Sequence, residues 1–360
     1  MAKPRNTKPT VKKGVTHVPS VNPKALERQQ HLRKQVPSVD VLFQGIQNGD
    51  RVVLSQAITL IESARPDHQA KAQQLLERCL PLSGKAIRIG ITGTPGVGKS
   101  TFIEAFGQHL TGSGKKIAVL AVDPSSHLSK GSILGDKTRM AQLSVDPNAY
   151  IRPAAAGNSL GGVARKTSES MLLCEAAGYE IILIETVGVG QSEIAVHSMV
   201  DFFLLLLLPG SGDELQGIKR GIVEMADLVA VNKSDGENLE KAKRSKRAYR
   251  NALHLYPPKG NGWIPQVELV SGLERTGLDT IFEIIQHFKA QTTENKAWTK
   301  KRDDQNAYWF QEALQSALAE RLEQDPGIRE QLQAIKAKVI DGELSAWKAA
   351  NDLLRQLFNH

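Results

Sequence analysis

The sequence predicts an α/β fold: a mostly parallel sheet with helices on both faces, carrying helical extensions at its N- and C-termini. Three observations predict it. Between residues 86 and 290, short apolar runs alternate with longer helical segments. Two runs, Ile181-Ile182-Leu183-Ile184 and Phe202 to Leu208, are apolar at every position, as strands covered on both faces require. The spacing between runs leaves room for crossover helices, which joins the strands in parallel as a three-layer domain. With 360 residues, 41% of them hydrophobic and 23% charged, the chain can bury a sizeable core divided among two or three domains.

The elements follow in order. Residues 1–37 read as a disordered basic tail with Pro4, Pro9, Pro19 and Pro23 spread along it. Residues 38–85 read as a helical N-terminal extension: Asp50 caps a segment carrying Val53, Leu54, Ala57, Ile58 and Ile61, and Pro66 opens another carrying Ala72, Leu75, Leu76 and Cys79. The stretch Val41-Leu42-Phe43-Gln44-Gly45 looks like a protease-recognition scar from an expression vector, but it runs straight into the helical pattern and reads as native. Residues 86–290 carry the strands, expected at Ile87–Thr92, Lys116–Val122, Ala149–Arg152, Glu180–Glu185, Phe202–Leu208, Leu228–Asn232 and Val267–Ser271. Residues 291–360 are a helical C-terminal extension. Phe310, Leu314, Leu318 and Leu322 recur at steps of four, Asp325-Pro326-Gly327 breaks the pattern, and Ile328, Leu332, Ile335 and Val339 resume it before a last segment around Trp347 and Leu353. Such a stripe either packs on the core domain or pairs two subunits as a dimerisation arm.

Charge excludes one class of function. The net charge is +8, but residues 1–39 hold nine Lys and Arg against the single acid Glu27, and the rest balances at 37 basic and 37 acidic. The folded body is therefore neutral, which speaks against nucleic acid as a partner. No apolar run approaches the roughly 20 residues of a membrane span, so no membrane partner is expected. Cys79 and Cys174, each inside an apolar helical pattern, read as reduced core residues of a cytoplasmic protein. The acid-poor tail leaves a mitochondrial matrix location as the alternative, although its prolines would break the amphipathic helix of a transit peptide.

Chemistry enters at Gly93-Thr94-Pro95-Gly96-Val97-Gly98-Lys99-Ser100, a G-x-x-x-x-G-K-[ST] phosphate loop between an expected strand and an expected helix. Its glycines let backbone N–H groups curl around a phosphate at a helix N-terminus. Lys99 is then placed to reach β- and γ-phosphates, Ser100 to ligate Mg²⁺, and Thr101 to add an α-phosphate contact. Asn232-Lys233-Ser234-Asp235 follows another strand, where the Asp235 carboxylate can accept the two donors, N1–H and N2–H₂, that guanine has and adenine lacks. Backbone amides at Ser271-Gly272-Leu273 can meet the guanine O6. GTP is preferred over ATP on that ground. Glu185, in Glu185-Thr186-Val187-Gly188, ends a buried strand and delivers a carboxylate to the phosphate region, while Asp123 and Asp136 are two further candidates for metal and attacking water. The candidate catalytic set is Lys99, Asp136 and Glu185; the candidate Mg²⁺ set is Ser100, Asp123, Asp136 and Glu185.

Taken together, the phosphate loop, Val122 to Ser126, Gly131 to Met140, Ser159 to Thr167, Glu185 to Glu193, Pro209 to Gly221 and Asn232 to Asp235 resemble the MeaB/ArgK/MMAA family over residues 38 to 360. The resemblance implies a P-loop NTPase of the SIMIBI class, which also contains signal-recognition and nickel-insertion GTPases. It implies a homodimeric GTPase chaperone that gates adenosylcobalamin loading of methylmalonyl-CoA mutase, or a related acyl-CoA mutase, and protects or reactivates it. An adenosyltransferase is a possible third component, and no cobalamin site is assigned on this chain. The resemblance matches Lys99 and Ser100 to the phosphate-loop pair, Asp123, Asp136 and Glu185 to the metal-site and switch acids, and Asp235 to the guanine reader, leaving Gln191 without a secure role.

Two rival readings use the same loop. A P-loop kinase or ATPase acting on a small substrate is opposed by Asp235 and by the absence of a second substrate-binding motif. A nickel-delivery GTPase for urease or hydrogenase assembly expects Cys/His clusters, whereas His127 and His197 stand isolated in sequence.

Overall fold

The computed structural model describes residues 37–122, 140–153, 160–186, 192–210 and 220–358. The basic tail, apart from Pro37, lies outside these residues. Helices α1 (Val39–Gln47), α2 (Arg51–Glu62) and α3 (Pro66–Cys79) come first. Asp50 caps α2 as expected, its Oδ1 accepting from the N–H groups of Val52 and Val53 at 2.8 and 3.1 Å, and Pro66 takes the first position of α3. The Val41–Gly45 stretch lies in α1, where Leu42 and Ile46 are fully buried. A Cβ at Gly45 would stand 2.5 Å from the Val53 side chain, so glycine is what allows α1 and α2 to touch. The stretch belongs to the core.

The seven expected strands are present: β1 (Ile87–Gly93), β2 (Ile117–Val122), β3 (Ala149–Arg152), β4 (Ile181–Thr186), β5 (Phe202–Leu207), β6 (Leu228–Val231) and β7 (Gln266–Leu269). They form one parallel sheet in the order β3-β2-β4-β1-β5-β6-β7. Strand ends fall within two residues of the expected ones, and β3 matches at both ends. The largest difference is at β7, which begins at Gln266 and stops at Leu269, because Ser271 leaves the parallel ladder for an antiparallel bridge with Thr276.

Between strands run α4 (Lys99–Gly112), α5 (Ala141–Val145), α6 (Leu160–Ala176), α7 (Ser192–His197), α8 (Arg220–Met225) and α9 (Leu239–Leu253), followed by α10 (Leu278–Glu294). Alternation along the strands divides the core between the two faces. Ile182 and Ile184 of β4 pack with the N-terminal helices, α6 and α7. Ile181 and Leu183 pack with Phe102, Phe106, Ile281 and Phe288 of α4 and α10. Continuous apolar runs are thus strands with both faces covered, as read from the sequence. Cys79 and Cys174 are buried free thiols, and burial pushes the Cys79 thiol up to about 11, which keeps it inert.

The chain ends in α11 (Ala297–Gln324), α12 (Pro326–Ile340) and α13 (Ala346–Phe358). Helix α11 starts at Ala297, inside the helical extension expected over 291–360. The break falls at Asp325, whose carboxylate caps α12 by accepting from Gly327 and Ile328 N–H. Phe310, Leu314 and Leu318 remain exposed, so this stripe does not pack on the core. The root of α11 is held instead by polar contacts. Arg302 grips the buried Asp201 carboxylate with Nε and Nη2, both at 2.6 Å, and Asp201 Oδ2 also accepts from the Arg88 N–H of β1 at 2.8 Å. Lys301 donates to the Asp201 carbonyl at 2.7 Å. Among the described residues, no helix is long and apolar enough to cross a membrane.

Removing one partner from a buried ion pair leaves the other charge unsatisfied. Asp201→Ala should therefore lower unfolding stability by about 3–5 kcal/mol in chemical denaturation. A loss below about 1 kcal/mol would mean that the Arg302 fork does not hold the arm.

Candidate functional site

Parallel strands present all their C-terminal ends at one edge, and that edge is where such sheets bind ligands. The Gly93–Ser100 loop leaves β1 there and enters α4 at Lys99. Thr94, Pro95 and Gly96 are exposed, while Val97 is fully buried and pins the loop to the core. Gly98 adopts φ +93°, and a Cβ on it would stand 2.9 Å from Asn232 Nδ2. Only glycine fits between the two loops.

Lys99 is 9% exposed and donates to its own loop, to Gly93 O at 2.7 Å and Thr94 O at 3.3 Å. Burial pushes its ammonium below the usual lysine range, and the carboxylates of Glu185 and Glu193 act against that shift. Ser100 Oγ donates to Glu185 Oε1 at 3.2 Å, which joins the first turn of α4 to the end of β4. Hydroxyl and carboxylate oxygens are hard ligands, and Mg²⁺ uses few protein ligands beside phosphates and water, so this pair fits that ion. Thr186 and Thr92 hydroxyls, 2.9 Å apart, tie β4 to β1 just below.

The loop after β6 reaches the phosphate loop directly. Asn232, 2% exposed, donates from Nδ2 to Val97 O at 2.8 Å and accepts from Gly272 N–H through Oδ1 at 3.2 Å. Lys233 has φ +56° and donates from Nζ to Gly96 O at 2.9 Å. Both side chains thus buttress the phosphate loop. Asp235 follows, its Oδ2 accepting from Ser271 Oγ, and Ser271 Oγ also accepts from Glu274 N–H at 3.0 Å. The three segments 93–101, 232–235 and 271–273 are therefore one connected surface, with Leu273 exposed at its rim.

The structure brings together the candidate residues Gly93 to Thr101, Glu185, Asn232, Lys233, Asp235, Ser271 and Gly272. Asp123, Asp136 and Gln191 lie outside the described residues. Among the described residues, no group of three or more His, Cys, Asp or Glu is arranged to hold a metal ion, and the nickel-delivery reading gains nothing from them. Glu193, to which the sequence assigns no separate role, stands as a lone acid leading the apolar Ile194-Ala195-Val196 and is buried in the fold.

Residues 54–327 match the family described as Methylmalonyl Co-A mutase-associated GTPase MeaB. The chain belongs to that family. It is 47% identical over 332 residues to the mitochondrial methylmalonic aciduria type A homolog of Mus musculus, covering 89% of this chain and 80% of that one. It is 42% identical over 318 residues to GTPase ArgK of Escherichia coli, covering 87% and 96%. A crystal structure of an LAO/AO transport system kinase superposes with a TM-score of 0.70 at 36% identity, covering 89% of this chain and 97% of that one. This MeaB-family chain is a GTPase, and the family binds guanine nucleotide.

Asn232→Ala would strip two buried partners from the loops, Val97 O and Gly272 N–H. The expected cost is about 1–3 kcal/mol of stability together with weaker guanine nucleotide binding. Calorimetric GDP titration of the variant checks this; wild-type affinity would show that the two loops are positioned independently of Asn232.

Proposed function

We propose that this GTPase binds GTP with Mg²⁺ across the 93–101, 232–235 and 271–273 surface and hydrolyses it to GDP and phosphate. We further propose that it uses this cycle to gate adenosylcobalamin loading of methylmalonyl-CoA mutase, or a related acyl-CoA mutase, and to protect or reactivate that enzyme. The observation that carries the nucleotide reading is the junction of the 93–100 loop with the 232–235 loop, through Asn232 on Val97 O and Lys233 on Gly96 O. In this reading Lys99 turns from Gly93 O and Thr94 O to the β- and γ-phosphates. Ser100 and Glu185 hold the metal, with Asp123 and Asp136 as its further acids. When bound, Mg²⁺ neutralises charge on the phosphate oxygens. Asp235 accepts from guanine N1–H and N2–H₂, and the amides of Gly272 and Leu273 approach O6.

The mutase assignment is supported by the description of the family and by the name of the mouse relative. A homodimer paired through α11–α13 is supported by the exposed Phe310, Leu314 and Leu318 stripe, and by a cleft of about 730 Å³ lined by Leu332, Ile335, Val339, Ala349 and Leu353. An adenosyltransferase is the candidate third component, and the cytoplasm the proposed location, with the mitochondrial matrix as the alternative that the mouse name suggests.

Two measurements test this. Asp235→Asn exchanges one carboxylate acceptor for an amide donor, so GTP affinity should fall by about 1–3 kcal/mol and xanthosine triphosphate should become the better ligand. Retained preference for GTP would place the base elsewhere. Adding an adenosylcobalamin-dependent mutase should accelerate GTP hydrolysis at least about tenfold, since a partner that completes a phosphoryl-transfer site acts on the transition state. Unchanged turnover with methylmalonyl-CoA, isobutyryl-CoA and ethylmalonyl-CoA mutases, and no complex with any of them, would sink the chaperone reading.

A further inference from the structure

Glu193 is a buried carboxyl group with one oxygen left unpaired. It is 2% exposed, and its Oε2 has no hydrogen-bond partner. Burying a carboxylate so is costly, and a fold that retains one uses the charge or pays a penalty in stability. Its location follows from α7. That helix leaves the C-terminal edge of the sheet after β4 and runs back toward the start of β5, with Val196 packed over Gly90 of β1: a Cβ on Gly90 would meet Val196 Cγ1 at 3.0 Å. Glu193 lies three residues earlier, nearly one helical turn closer to Gly93 and on the same face. Gly93 O is where the Lys99 ammonium is held. Glu193 and Glu185 both act electrostatically on Lys99, although its hydrogen bonds go to the carbonyls of Gly93 and Thr94. Both carboxylates act on the ammonium through space, without a direct ion pair to it.

We propose that Glu193 is a positioning residue that acts through Lys99 as an electrostatic brake on nucleotide binding. Its fixed negative charge competes with the β- and γ-phosphates for the ammonium, which holds down affinity for GDP and GTP and speeds nucleotide release. Because the carboxylate sits on α7, directly downstream of the Glu185-Thr186 strand end, its distance from Lys99 changes with any movement of that helix. The inference rests on the reading of Lys99 as the phosphate-contacting lysine.

The test uses the full chain, saturating Mg²⁺ and a fluorescent GDP analogue displaced by excess GDP in a stopped-flow instrument. Glu193→Gln removes the charge and keeps the shape, so release should slow by about fivefold or more and Kd should fall in parallel. Glu193→Asp keeps the charge and should release within about twofold of wild type. A merely structural role predicts the opposite sign, since damage to packing loosens nucleotide in both variants. If the Gln variant fails to fold, Glu193→Met, uncharged and of similar length, supplies the same comparison. Unchanged or faster release from the uncharged variant overturns the proposal. Lys99→Ala separates the two levels. Wild-type binding in that variant refutes the phosphate-loop reading itself, whereas lost binding there, with no tightening in Glu193→Gln, refutes the brake alone.

Discussion

Parallel pairing of β1 with β4 on one side and β5 on the other is the constraint on which the site depends. The register sets Ile91 beside Glu185 and Gly93 beside Leu206. Because all three strands point the same way, the phosphate loop, the Glu185 carboxylate and the segment after β5 emerge at one edge. β6 extends the same edge and delivers Asn232 to Val97. A slip of one residue in the β1–β4 pairing would turn Glu185 to the other face of the sheet and separate it from Ser100.

The opposite edge of the sheet is held by charge. Asp201, which opens β5, is shared by the β1 backbone and by Arg302 of α11, and Asp227, which opens β6, accepts from Lys259 at 2.6 Å and from Phe203 N–H at 2.9 Å. These acids accept from strand N–H groups at that edge; Asp201 moors α11 to the sheet, and Asp227 holds the segment between α9 and β7 through Lys259. Helix α7 lies between the two edges. Glu193 at its start is buried with Oε2 unpaired, and His197 near its end packs edge-on against Phe203, with burial and the Lys301 charge pushing that imidazole down to about 4. The neutral ring is thus part of the packing that joins the helix to β5.

Seven strands, two N-terminal helix starts and the three C-terminal helices were legible in the chain because each is declared locally. Continuous apolar runs mark doubly covered strands, Asp50 and Pro66 mark helix starts, and Asp325-Pro326 marks a break. The phosphate loop was legible for the same reason: glycine spacing followed by Lys99-Ser100 specifies a local backbone shape. Asn232 and Lys233 were legible as site residues but not as struts, since their partners Val97 and Gly96 stand more than 130 residues earlier in the chain. Glu193 was legible only as an acid opening a helix, not as a buried one. A single acid opening a short helix reads as solvated until the packing of α7 on β1 removes the solvent.

By itself, then, the sequence determined the α/β class, the place and chemistry of the phosphate loop and the identity of the guanine-reading candidate, because these are written in short-range pattern and composition. Tertiary structure decided the strand order, the tie between phosphate and base loops, the mooring of the arm on Asp201 and the burial of Glu193. Each of those depends on contacts between distant segments, and burial, which sets the energy of a charge, is a property of the assembled fold and not of any stretch of chain.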